Sequence, residues 1–472
     1  MMTRNTQIVA TISNLNDSPE FIKGLYRAGM NVVRLNTAYM THENALEIIG
    51  NTRKVSNKIG ILLDTKGPEI RTCDTEAPLK VKYGDSIKIK GAPNEISKEN
   101  VVCVSYDQFV KDIPVGSAIL IDDGYIALAV MEKDDEYLTC FVENDGVINA
   151  RKSINIPSVH VKLPALSQKD KKFIKFAADH HLDFIAHSFV RNGDDVRAVQ
   201  KILDKKRSPI KIIAKIENSQ GVENLPEILD HAYGVMIARG DLAVEIPAEQ
   251  IPLIQKQIIR TCIEKRRPVI VATQMLHSMI DSPRPTRAEV SDVANACLDR
   301  TDALMLSGET ANGKYPEVAV RTMAKIAQAV ENRQSTFSDV PYTIENKVTA
   351  YLAKAAVKAA IRLNTKAIVA DSLTGTSIRA LSAYRGNNPI FAQVYDRRVM
   401  RQLSLSYGVI ADHISMDVST AQPLKDAVCR LIEEKQINPE DLIIVMTGSF
   451  GAKQGASYIE ISSAHTFKCK EI

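Results

Sequence analysis

The chain has 472 residues, 45% apolar and 25% charged, which is an ordinary soluble balance and too much chain for a single core. Its 60 Lys and Arg against 56 Asp and Glu leave a net charge of only +4, so charge makes no case for a nucleic-acid partner. No apolar run reaches the length of a membrane span, the polar start does not read as a signal peptide, and the seven scattered cysteines read as reduced thiols; the expectation is a cytoplasmic protein without a membrane partner.

In chain order, short continuous apolar runs read as strands buried on both faces: Gln7–Ile12, Asn31–Leu35, Gly60–Leu63, Asp183–His187, Lys211–Ile216, Gly234–Ala238, Pro268–Ala272 and Ala303–Leu306. Helical patterns run over Pro19–Ala28, Glu43–Lys58, Lys169–His180, Asp194–Lys205, Gly221–Ala232, Ala248–Arg266 and Pro316–Asn332. Eight strands alternating with helices predict an α/β fold, a (β/α)8 TIM barrel, favoured over an open doubly wound sheet by where the polar residues fall. Between Gly67 and Lys162 the pattern changes to apolar–polar alternation with Asp-Gly turns, which predicts an inserted all-β domain with hinges at Gly67-Pro68 and around Pro157–Pro164. A polar stretch at Arg333–Asn346 separates off a C-terminal doubly wound α/β domain: helix Lys347–Arg362, strand Ala367–Ala370, helix Ser377–Tyr384, strand Pro389–Ala392, helix Ala421–Glu434 and strand Leu442–Met446. The expected domains are 1–67 and 163–335 for the barrel, 68–162 for the insertion and 336–472 for the C-terminal unit.

The carboxyl ends of the barrel strands, where barrel chemistry sits, are rich in charge. They carry Arg34 and Asn36, then Asp64-Thr65-Lys66, Ser188, Lys215 and Glu217, Arg239-Gly240-Asp241, Thr273-Gln274 and Ser307-Gly308-Glu309. A charge on a buried strand is costly unless paired or ion-bound, and a run of such ends points to a site rather than to one structural ion pair. Glu217 and Asp241 are hard oxygen ligands on adjacent strands, suited to Mg²⁺. Lys215, two residues from Glu217, shares its strand face. A lysine beside a bound divalent ion is the pairing that phosphoryl transfer uses. Arg34, Arg71 and Lys152 are cations that could hold phosphate oxygens. Thr273 and Ser307 offer hydroxyls for a proton relay, although Ser307 reads equally well as a helix cap.

These stretches resemble the pyruvate kinase family along the whole chain. LLDTKGPEIRT at 62–72, AKIEN at 214–218, ARGDLAVEIP at 238–247 and the long run from ATQMLHS to GKYP at 272–316 carry the likeness, with Ala243 and His277 as departures. The resemblance implies transfer of a phosphoryl group from phosphoenolpyruvate to ADP, giving pyruvate and ATP. It implies that Arg34 contacts the substrate phosphate, Lys215 stabilises the group in flight, and Glu217 and Asp241 bind Mg²⁺ (or Mn²⁺). Gly240, Asp241 and Thr273 would hold the enolpyruvate, with Thr273, Ser307 and Glu309 in the proton relay. Arg71, Lys152 and Asn36 would face the nucleotide, and Asn36, Asp64 and Thr65 would bind K⁺, with Glu69 at the position linked to K⁺ dependence. The family is typically a homotetramer.

The stretch after Arg34-Leu35-Asn36 departs from the family pattern. Thr37, Ala38, Tyr39 and Met40 stand where F-S-H-G is usual, so Ala38 lacks the serine oxygen and Tyr39 replaces a histidine near the nucleotide. Thr11-Ile12 is likewise followed by Ser13-Asn14 rather than G-P. In the C-terminal domain Thr374, Gly375, Thr376 and Ser377 open a helix where relatives bind a sugar-phosphate effector. The loop Thr447–Gly455 matches a second effector loop only in its glycines. The alternatives are a catalytically impaired, metabolite-binding relative, and a different phosphoenolpyruvate- or oxaloacetate-using barrel enzyme.

Overall fold

The computed structural model describes residues 4–157, 159–332, 347–414, 423–448, 455–467 and 469. The polar stretch at 333–346 and most of the loop 447–455 lie outside these. Eight parallel strands close into a barrel in the order Gln7–Thr11, Val32–Asn36, Gly60–Asp64, Phe184–His187, Lys211–Ile216, Gly234–Ala238, Val269–Ala272 and Ala303–Leu306, with the last pairing the first. The apolar runs form strands because both faces are covered. Val32, Leu62, Phe184, Ile213, Met236 and Ile270 fill the interior, while Val33, Ile61, Ile185 and Ile212 pack outward against the helices.

Two predicted helices differ. Gly221–Ala232 is two helices, Ser219–Glu223 and Leu225–His231, because Pro226 has no N–H to continue the ladder and instead takes the first turn of the second helix. Ala248–Arg266 is a 3₁₀ turn, Ala248–Gln250, followed by an α-helix, Ile251–Glu264, again with a proline, Pro252, in its first turn.

The insertion after the third strand is a seven-stranded sheet with a separate two-stranded ribbon, built on its own apolar cluster that includes Ile87, Ile119, Leu128 and Val142. At its exit Gly67 has φ +76°, and an added Cβ would stand 2.8 Å from Ser188 and Phe189 side-chain atoms, so glycine is required there. At its return Ser167 caps the helix Gln168–Asp179 in a capping box with Asp170. The other Asp170 oxygen accepts from the backbone N–H of Lys66, at 3.0 Å, so one carboxylate clasps both ends of the insertion.

The C-terminal domain is a five-stranded sheet in the order Val409–His413, Ile390–Val394, Ala367–Ser372, Leu442–Thr447 and Tyr458–Ser463. Four strands are parallel, and the edge strand Tyr458–Ser463 pairs antiparallel. The domain is locked to the barrel through Asp302. Its carboxylate takes Arg385 at 2.5 and 2.8 Å and the backbone N–H groups of Val269 and Tyr407. One sequence expectation fails here: Cys429 and Cys469 form a disulfide, while Cys73, Cys103, Cys140, Cys262 and Cys297 are free. A separation of 40 residues gave no spacing signal, since only the tertiary fold brings the two Cα atoms to 5.4 Å.

Candidate active site

Parallel register sets the charged strand ends on one rim. Asn36 lies opposite Asp64, and Ala186 lies opposite Asp64 from the other side. At the centre is Lys215. Its ammonium is 2.8 Å from Glu217, 3.2 Å from Asp64 and donates to the Ser188 hydroxyl at 2.8 Å. Asp64 also takes the Nε of Arg34 at 2.7 Å, and Arg34 donates on to Thr11 Oγ1 at 3.0 Å. All four charged groups are buried.

The electrostatics follow from this packing. Burial alone would pull Lys215 down, but Asp64 and then Glu217 outweigh it and hold the ammonium above its ordinary range. Burial would push Asp64 up, yet Lys215 and Arg34 hold it below the usual carboxylate range. Burial pushes Glu217 up to about 7 against the pull of Lys215, with Asp241 adding to the rise. Asp241 is raised by burial as well, against the pull of Lys215. Two adjacent carboxylates, Glu217 buried and Asp241 half-buried, that ionise reluctantly gain from a cation between them, so these residues fit a divalent metal. Among the described residues no group of three or more His, Cys, Asp or Glu forms a metal cage, which leaves the remaining ligands of such an ion to substrate and water.

The other candidates fall around this centre. Gly240 N–H donates to Thr273 Oγ1 at 2.8 Å, so that amide is engaged within the protein. Thr273 itself sits at φ +70°, a conformation that costs energy for a β-branched residue. Arg239 turns away from the rim and forms a bidentate pair with Asp292 while donating to the Thr273 carbonyl. Ser307 is not a side-chain cap on the helix Gly308–Ala311; its amide donates to Glu309 Oε2 at 2.7 Å. Glu309 is buried.

Arg71 and Lys152 line a cleft of about 560 Å³ between the inserted domain and the barrel rim, together with Tyr39, Asn218 and Asp241. Both cations are already paired, Arg71 with Glu69 at 2.7 Å and Lys152 with Asp122 at 2.8 Å. Tyr39 projects into this region and is 88% exposed. Asn36 caps the 3₁₀ turn Thr37–Tyr39 through its Oδ1, and the Ala38 carbonyl accepts from Lys169 Nζ at 3.1 Å. Thr65 is buried, and its carbonyl accepts from Ser188 Oγ. Far from this rim, the Thr374 and Thr376 hydroxyls meet at 3.0 Å, Gly375 stands at φ +77°, and Ser377 Oγ donates to the Asp371 carbonyl.

Sequence reading missed two parts of the site. Ser188 links Lys215, Asp64 and Thr65, and a small polar residue ending the fourth strand was its only signal. Asp292 fixes Arg239 from the helix Arg287–Leu298, which was not among the predicted helices although its capping box, Thr286 with Glu289, was the signal that could have marked it.

Residues 3–320 match the family described as pyruvate kinase, barrel domain, and residues 351–462 match pyruvate kinase, alpha/beta domain. The chain belongs to the pyruvate kinase family. It is similar to the pyruvate kinase of Borreliella burgdorferi, 45% identical over 98% of both chains. It is also similar to that of Staphylococcus aureus, 40% identical over 94% of this chain and 78% of the relative. A crystal structure of a pyruvate kinase from Cryptosporidium parvum superposes with a TM-score of 0.91 at 36% identity, over 98% of this chain and 96% of that one. Membership makes this chain an enzyme of the phosphotransferase class, and the matches favour that reading over an impaired relative.

Proposed function

We propose that the enzyme transfers the phosphoryl group of phosphoenolpyruvate to ADP, giving pyruvate and ATP in glycolysis. The observation that carries this is the Lys215 ammonium, held charged between Asp64 and Glu217, with Asp241 beside it on the barrel rim. A fixed cation in a buried site stabilises charge on the phosphoryl group as it moves, and costs no reorganisation at that moment. Arg34, oriented by Asp64 and Thr11, meets the substrate phosphate. Glu217 and Asp241 hold Mg²⁺ (or Mn²⁺), which when bound supplies charge neutralisation at the substrate oxygens. Gly240 and Thr273 seat the enolpyruvate, and Thr273, Ser307 and Glu309 pass a proton to the enolate carbon. Arg71 and Lys152 exchange their internal carboxylates for nucleotide phosphates as the inserted domain closes.

Asn36, Asp64 and Thr65 offer an oxygen-only set that fits K⁺, one ligand short because Ala38 has no side-chain oxygen. The Lys169 ammonium on the Ala38 carbonyl already supplies a positive charge beside that turn, which supports weak K⁺ activation. The domain limits 1–67, 68–162, 163–335 and 336–472 and a cytoplasmic location, which rest on sequence pattern and composition, and a homotetramer and a sugar-phosphate effector at Thr374–Ser377, which rest on the family resemblance, complete the reading. Among the described residues no helix is long and apolar enough to cross a membrane.

The test is pyruvate formation in a lactate dehydrogenase-coupled assay, with ADP and Mg²⁺ each present or omitted, and with and without K⁺. Pyruvate that depends on ADP and Mg²⁺ is expected. Its absence under every Mg²⁺ and K⁺ condition would overturn the assignment.

A further inference from the structure

The opposite end of the barrel carries charge that the reaction does not use. Lys211 opens the fifth strand, Tyr233 precedes the sixth and Arg267 precedes the seventh, all on the rim that meets the C-terminal domain. Across the joint lie Arg379, on the helix Thr376–Ala383, and Arg398, on the helix Arg397–Gln402. The guanidinium of Arg379 stands 5.5 Å from the centre of the Tyr233 ring, and the Lys211 ammonium stands 5.7 Å from it. Tyr233 is buried and fixed by its hydroxyl to the Gln402 carbonyl.

The nearby carboxylates are committed elsewhere. Asp230 takes Lys265 at 2.6 Å, Asp302 takes Arg385, and Asp396 takes Arg398. Among the described residues, Lys211, Arg267 and Arg379 have no carboxylate within ion-pair distance, and only Asp230 draws on Arg267 from further away. Arg379 instead donates to the Thr374 carbonyl and the Thr376 hydroxyl, and Arg267 makes no side-chain hydrogen bond to a described residue. The mutual repulsion registers on the groups. Lys211 is held below its ordinary range by burial and then by Arg379, Arg267 and Arg398, and Arg267 by burial and then by Arg379. Like charges crowded in a half-buried joint are destabilising unless an anion joins them. A crevice of about 10 Å³, lined by Arg267, Arg379, Ser382 and the Arg385–Asp302 pair, admits one oxygen of a tetrahedral anion, while Lys211 stands outside its lining, over the Tyr233 ring. Guanidinium forks match the remaining oxygens geometrically.

We infer that this joint between the lower barrel rim and the C-terminal domain is an anion site, built by Lys211, Arg267 and Arg379, that takes a phosphoryl-type dianion. Bound there, the anion cross-links the barrel to the helix that follows the Thr374–Ser377 turn. The site lies at the other end of the strands from Lys215 and does not depend on the reaction assigned above.

The test is the melting temperature of the full-length protein titrated with sodium phosphate against sodium chloride at matched ionic strength, with ribose 5-phosphate as a parallel arm. Phosphate should raise the melting temperature of the unaltered chain by a few degrees. Arg267→Gln and, separately, Lys211→Gln should each start higher in chloride, because repulsion is relieved, and should lose the phosphate-dependent rise. A rise with ribose 5-phosphate that also disappears in both variants places sugar phosphates among the site's ligands. No phosphate-dependent rise in the unaltered chain overturns the inference. So does a rise that both variants retain in full, and so does stabilisation confined to ribose 5-phosphate and kept by both variants, which assigns binding to the Thr374–Ser377 turn alone.

Discussion

The two rims of one barrel solve the problem of buried charge in opposite ways. On the upper rim the central cations have internal carboxylates: Arg34 and Lys215 share Asp64, and Lys215 also holds Glu217. On the lower rim Lys211, Arg267 and Arg379 crowd one another while Asp302 and Asp230 are spent on other partners. The upper arrangement is preorganised, with its charges in place before any ligand arrives, as phosphoryl transfer requires. The lower one is incomplete, so a ligand changes its stability more than its shape. A charged cluster is thus a sign of catalysis when it is balanced and fixed, and of regulation or assembly when it is left in excess.

The sharpest way to break the comparison is Lys215→Met. It removes the cation at the centre of the balanced rim while Arg34 still holds Asp64. Turnover in the coupled assay should fall roughly 10²–10³-fold or more, the loss typical of one preorganised group facing transition-state charge. The fold should be retained by circular dichroism, and an unchanged kcat would refute the role. Arg385→Met tests whether the lower rim owes its integrity to its most deeply buried pair, Arg385 with Asp302. Asp302 would be left buried and short of its cation, at a cost of about 3–5 kcal/mol in denaturant unfolding. A loss below about 1 kcal/mol would show that the Val269 and Tyr407 amides suffice for Asp302.

His187 sharpens the contrast from within the upper half. It is fully buried on the outward face of the fourth strand, neither ring nitrogen has a partner among the described residues, and burial pulls it from 6.5 down to about 4. Because the folded value is depressed, the unfolded chain takes up the proton first. Stability should therefore drop as pH falls from the ordinary histidine value through about 4. The full loss is on the order of 3 kcal/mol. His187→Gln should flatten that acid limb in melting temperature against pH; an identical limb would show that other groups dominate it. The smallest effect is expected from Ala38→Ser, which restores one oxygen beside Asn36 and Asp64. It should raise the ratio of rates with and without K⁺ by roughly fivefold at most, the worth of about 1 kcal/mol from one added ligand, with little change at saturating K⁺. No change in that ratio would mean the Lys169 ammonium, not the missing oxygen, sets the cation response.

Sequence pattern located the barrel strands to within a residue because each is a continuous apolar run closed by polar or charged residues, a signal that parallel burial imposes. The central members of the upper site, Lys215, Glu217, Asp241 and Asp64, were legible for the same reason. What escaped is set by tertiary distance. The edge strands Val409–His413 and Tyr458–Ser463 are half-exposed and carry His413 and Glu460, so they lack the apolar run that marked the others. Arg385 and Asp302 are 83 residues apart, and no local rule links an arginine in a loop to a buried aspartate. Ser188 was legible as one of the polar strand ends, but no local rule assigns its hydroxyl to Lys215.

The closure of the barrel has a consequence for how the chain is made. The first strand is flanked by the second and by the eighth, with Gln7 opposite Ala303, and Glu331 then takes the amides of Asn5 and Thr6 at 2.6 and 2.8 Å. On a ribosome adding roughly 5–20 residues per second, that eighth strand trails the first by about 15–60 s. Throughout that interval one edge of the growing sheet carries unpaired amides and carbonyls. The barrel is complete only when its last helix clasps its first residues, so birth order and folding order run in opposite directions at the seam.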